Sequence, residues 1–134
     1  MDTQKEPFSI LLLDADGSAS PKIREQFAEN SVHPTNLDVI KSVSDAIEKL
    51  KNNHYHVILA HCASHANGNG NGNGIGLNEI FTEIHRRKLS TPVILMIDPD
   101  GETYARRALK TGATDYLIKS DEEIRKLPER LWAI

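Results

Sequence analysis

The sequence predicts a three-layer α/β sandwich built on a five-stranded parallel sheet. Three observations carry that expectation. Five short apolar runs recur along the chain. Helical patterns, with apolar residues three or four apart on one face, lie between them. Several of the runs are apolar at nearly every position, which suits strands covered by helices on both faces.

The elements follow in order. Phe8 to Leu13 is apolar apart from Ser9 and ends at Asp14, giving the first strand. Ser20-Pro21 signals a helix start, a capping hydroxyl followed by proline at the first helical position, and Ile23 and Phe27 share a face behind it. Leu37 to Ile40 forms a second strand, and Ser44 is the expected cap of a helix that turns Ile47 and Leu50 inward. Val57 to Ala60 makes the third strand, within a run from Tyr55 that reads as buried and closes on an exposed polar residue, His61. Leu77 to Lys88 is a helix with Ile80, Phe81 and Ile84 on one stripe, and Pro92 to Ile97 is the fourth strand. Asp100 is the expected cap of a helix over Glu102 to Thr111, stopped by Gly112. Thr114 to Ile118 is the fifth strand, ending at Lys119. Beyond it, Pro128 either breaks a helix begun at Asp121 or starts one holding Leu131 and Trp132.

Composition narrows the class. The 134 residues fit one domain with a real core: residues 1–7 form a polar tail and residues 8–134 the domain. Hydrophobic content of 39% and charged content of 26% are ordinary for a globular chain. A net charge of −3 offers no global basic field for nucleic acid or an anionic membrane. The lone Cys62 excludes an internal disulfide, and with no signal-peptide pattern or spanning run, the expected location is the cytoplasm. The chain stops at Ile134 inside an apolar turn, so the expectation is an N-terminal module of a longer protein.

In a parallel sheet of this kind, functional groups collect beyond the carboxyl ends of the strands. Asp14, His61, Asp98 and Lys119 each follow a predicted strand and are candidates to converge there.

Four segments carry a family resemblance. Phe8-Ser9-Ile10-Leu11-Leu12-Leu13-Asp14, Tyr55 to His61, Thr91-Pro92-Val93-Ile94-Leu95-Met96, and Lys110-Thr111-Gly112-Ala113-Thr114-Asp115-Tyr116-Leu117-Ile118-Lys119 together resemble the receiver domains of bacterial two-component response regulators. The likeness runs from about residue 8 to the end of the chain, and its last segment is the most specific. It implies a flavodoxin-like (βα)5 fold. It also implies an acidic pair that holds Mg²⁺, an aspartate nucleophile after the third strand, a hydroxyl after the fourth and a lysine after the fifth. A carboxylate attacking phosphate needs the cation and the lysine to offset charge, and Mg²⁺ requires hard oxygen ligands.

The chain departs from that pattern. Asp14 is kept, but Ala15 stands in place of the second acid, with Asp16 one position late. His61 replaces the phosphoacceptor, Ile97 falls where the hydroxyl belongs and Asp98 follows it. Lys119 is retained, and Ser120 follows it in place of the family's proline. An imidazole forms no acyl phosphate and is no hard oxygen ligand. Expected roles are therefore modest: Lys119 ion-paired with Asp14, His61 hydrogen-bonded to Asp14 or Asp98, and Ile97 in the core.

The resemblance then implies an atypical receiver, or pseudo-receiver, in two-component signalling. It would be a non-enzymatic module without cofactor that acts through a protein partner or a linked output domain. Tyr104, Arg106, Arg107 and Tyr116 are the contact candidates, in an exposed cluster on the fourth helix and fifth strand that could also pair two copies. The alternative is a ligand- or metal-sensing module that uses the vacated pocket, with His61, Cys62 and His65 as the available ligands, though the spacing is no standard zinc motif. The Asn-Gly repeat over residues 67–74 reads as a flexible insertion; it lacks the Lys-Ser/Thr ending of a phosphate loop. His54 and His56 are expected to be solvated at a strand edge.

Overall fold

The structure is a computed structural model, and it describes residues 7–14, 17–29, 34–62 and 77–132. Strands β1 (Phe8–Asp14), β2 (Thr35–Ile40), β3 (Val57–Cys62), β4 (Val93–Ile97) and β5 (Asp115–Ile118) alternate with helices α1 (Ser20–Glu29), α2 (Val43–Asn52), α3 (Leu77–Arg86), α4 (Glu102–Thr111) and α5 (Asp121–Trp132). The strands form one sheet in the order β2-β1-β3-β4-β5, and every neighbouring pair is parallel. The expected α/β sandwich is the observed one.

Alternation along the strands builds two cores. Leu11, Leu13, Ile58, Ala60, Leu95 and Ile97 face a layer that includes Ala46, Leu50, Ile80 and Ala105 of α2, α3 and α4. Their neighbours Ile10, Leu12, Val57, Leu59, Ile94 and Met96 face Ile23, Phe27, Ile124 and Leu127 of α1 and α5. Because both faces are covered, the central strands show no polar alternation, which is why they read as continuous apolar runs.

Several local expectations shift. The cap of α2 is Ser42, whose Oγ accepts the Asp45 amide at 3.1 Å; Ser44 lies inside the helix. Ala46 and Leu50 are its buried residues, and Ile47 is only half-buried. Asp100 sits inside a short 3-10 turn (Pro99–Gly101) that leads into α4 and makes no side-chain cap. Pro128 neither breaks nor starts α5: the helix runs through it, and the ring is buried.

Two further contacts hold β2 and β3 to the sheet. The Tyr55 hydroxyl donates to Asp38 Oδ2 at 2.6 Å, and burial, reinforced by that bond, pushes the phenol well above its ordinary range. His56, expected in solvent, is half-buried: its amide donates to the Ser9 carbonyl, its Nδ1 accepts the Ser9 amide at 3.0 Å, and its ring stacks on Phe8 at 5.1 Å. The imidazole completes the β1–β3 ladder one residue before β3 begins.

Candidate functional site

Asp14 closes β1 and pairs in register with His61 on the adjacent strand β3. Both residues follow the parity of Ile10, Leu12, Val57 and Leu59, so they belong to the face covered by α1 and α5. Asp14 is 0% and His61 3% exposed. His61 is therefore not the exposed strand end that the sequence suggested. β3 runs on to Cys62, and the imidazole lies under the α1 side of the sheet.

The Asp14 carboxylate is engaged at both oxygens. Oδ1 lies 3.1 Å from His61 Nδ1. Oδ2 accepts the amides of Ala19 at 3.1 Å and Ser20 at 2.8 Å. Those amides belong to the start of α1, where unsatisfied N–H groups and the positive helix end favour an anion. The cap of α1 is thus a carboxylate from the preceding strand, whereas the sequence had pointed to the Ser20 hydroxyl.

Lys119 does not pair with Asp14. Its amide continues the ladder to the Ile97 carbonyl at 2.7 Å, and its ammonium donates to Ser18 Oγ at 3.3 Å. The carboxylate is inside and committed, while a lysine amine stays at the wet rim where its solvation is kept. Ser120 caps α5: its Oγ accepts the Glu123 amide at 3.1 Å. At the same edge Lys22 of α1 meets Asp121 of α5 at 2.8 Å; this hydrogen bond raises the lysine pKa and lowers that of the carboxyl. Both groups are well exposed, so the bridge is a weak tether.

Ile97 is fully buried in the core on the α2–α4 side, and Asp98, half-buried, precedes the 3-10 turn. Ala15, Asp16, His65, the Asn-Gly repeat and the side chain of Cys62 lie outside the described residues. Among the described residues, no three His, Cys, Asp or Glu side chains form a group able to hold a metal ion. No helix among them is long and apolar enough to cross a membrane.

On the α4–β5 side the Tyr116 hydroxyl donates to Glu102 Oε2 at 2.7 Å, and Arg106 approaches the same oxygen at 3.6 Å. Tyr104 and Tyr116 are half-buried against the core, so the exposed members of the expected cluster are Arg106 and Arg107. Leu109 beside them is 38% exposed.

Sequence reasoning missed Glu83. It sits on the buried face of α3, and its carboxylate is gripped by Arg86 at 2.7 Å and by Arg87. The hydrogen bonds from Arg87 and Arg86 bring its pKa down to about 2. The spacing of three and four residues was the available signal. The role of Asp14 as a remote cap left none, because loop geometry decides it.

No family model matches the chain, and no curated protein matches it. Solved structures do. The Francisella response regulator 1452 receiver domain is 25% identical with a TM-score of 0.66, over 96% of this chain and 98% of that one. The phosphorylated cyanobacterial phytochrome response regulator RcpA is 17% identical with a TM-score of 0.75, over 96% of each chain. The N-terminal signal receiver domain of a two-component response regulator from Bacteroides fragilis is 20% identical with a TM-score of 0.69, again over 96% of each. The chain has the fold of a response-regulator receiver domain.

Proposed function

We propose that this chain is a pseudo-receiver: a non-enzymatic signalling module that works by protein–protein contact, without aspartyl phosphorylation and without Mg²⁺. One observation supports the reading above the others. The acidic residue that a receiver would lend to a cation is Asp14, and here both of its oxygens are internal, one on His61 and one on the start of α1. The donor set does not fit Mg²⁺. It offers a fully buried carboxylate that already accepts two amides and faces an imidazole, and that imidazole stands where a second oxygen ligand and nucleophile would be required. Ile97 supplies no hydroxyl. We place partner contact on the α4–β5 surface around Arg106, Arg107 and Tyr116, whether the partner is a separate protein, a linked output domain or a second copy.

The test is direct. Incubation with acetyl phosphate, or with beryllofluoride, plus Mg²⁺ should leave the heteronuclear NMR spectrum unchanged at residues 14, 61 and 119. Saturable shifts there, or a covalent phosphoryl adduct by mass spectrometry, defeats the proposal.

A further inference from the structure

A second surface lies at the opposite edge of the sheet. An open groove of about 870 Å³ runs between the C-terminal ends of α3 and α4. Phe81, Ile84 and Leu89 give it an apolar floor, and Arg86, Lys88 and Thr111 stand on its rim. The floor residues are half-buried, while the rim residues are exposed.

Charge is segregated here. The chain carries a net −3, yet the charged side chains that line the groove, Arg86 and Lys88, are basic, Lys110 neighbours the lining Thr111, and residues 85–92 contain no Asp or Glu. No lining residue is acidic. Basic residues in the last turn of a helix complement its negative end, which accounts for Arg86 and Lys110. It does not account for Lys88, which lies beyond α3. Its φ is +56°, the left-handed conformation that glycine adopts with less strain, and its amide bonds the His85 carbonyl at 3.1 Å. A charged side chain thus stands at a position where glycine is the less strained residue.

We propose that this groove docks a peptide segment of a partner protein that inserts apolar side chains between flanking carboxylates. The apolar floor takes the former; the positive rim draws the latter and speeds encounter. Arg86 spends one N–H on Glu83, which steadies the guanidinium and leaves its other donors for an incoming carboxylate. The surface is distinct from the Asp14–His61 site and from the α4–β5 face, and it stands whether or not the domain accepts phosphate.

The probe is an amidated heptapeptide alternating glutamate and leucine, titrated against the whole chain and followed by ¹⁵N shifts. Saturable shifts at Thr82, Arg86, Lys88 and Gly112, weakened by salt and at least tenfold smaller in affinity with Lys88→Glu, are the expected result. Lys88→Gly is a second variant: it should fold at least as stably and still bind several-fold more weakly. Equal binding of a lysine–leucine heptapeptide overturns the proposal. So does an absence of shifts at millimolar peptide, or a single-stranded oligonucleotide that moves these residues when the acidic peptide does not.

Discussion

Nδ1 of His61 stands 3.1 Å from Oδ1 of Asp14, and the two side chains are 2% and 0% exposed. A buried carboxylate in this position needs its partners, because uncompensated charge in an apolar layer is unfavourable. Among the described residues, His61→Ala leaves Asp14 with the two amides at the start of α1. The expected cost is about 2–3 kcal/mol, read as a lower urea midpoint at unchanged slope. His61→Gln, which keeps a donor near Oδ1, should recover part of the loss.

His61 and His56 should hold opposite tautomers. Oδ1 of an ionised Asp14 can only accept, so His61 Nδ1 carries the proton. The Ser9 amide can only donate, so His56 Nδ1 is bare and its proton sits on Nε2. Long-range ¹⁵N correlation spectra at neutral pH distinguish the two. A bare Nδ1 on His61, or a protonated Nδ1 on His56, contradicts the assignment.

Glu83 makes stability depend on acid. Its folded pKa of about 2 lies below its ordinary value of 4.5, so its contribution is complete above about pH 4.5 and is lost as the pH falls toward 2. Glu83→Gln should flatten the stability profile across that window and change it little at neutral pH beyond a constant offset. Urea midpoints at several pH values measure this, and an unchanged acid slope refutes it.

Gly112 closes α4 where a side chain does not fit. A Cβ at this residue would lie 2.7 Å from Phe81 Cγ, and its φ of +158° is one that L-residues rarely adopt. Gly112→Ala is expected to destabilise by about 1–3 kcal/mol. Gly112→Ala combined with Phe81→Leu, which removes the ring from the contact, should lose less than the sum of the two single changes.

The sheet was legible in the sequence because continuous apolar runs and helical stripes arise from the same burial that makes the fold. Element identity followed from Leu11, Leu13, Ile58 and their neighbours, and boundaries moved by only a few residues. The site was legible as a set of strand ends, since register places Asp14 beside His61. Its wiring was not. Which acceptor caps α1, and which partner holds Lys119, depend on loop paths that no periodicity encodes. His56 was misread because a side-chain nitrogen acting as a strand acceptor has no composition signal. Pro128 left two helix readings open because propensity alone cannot weigh a lost backbone bond against a buried ring.

That proline leaves a mark on α5. With no amide at residue 128, the Ile124 carbonyl loses the bond that would carry the helix across this turn. The last turn keeps the backbone bonds of the amides after Pro128, and buried Leu131 and the edge-on contact of Trp132 with Phe27 at 6.0 Å hold it to the body as well. Trp132 is the only indole in the chain. Its emission should report fraying of this terminal turn, at urea concentrations below those that abolish the far-ultraviolet dichroism of the remainder. A spectroscopist who follows this protein by tryptophan fluorescence alone would be watching its final turn and would mistake it for the whole.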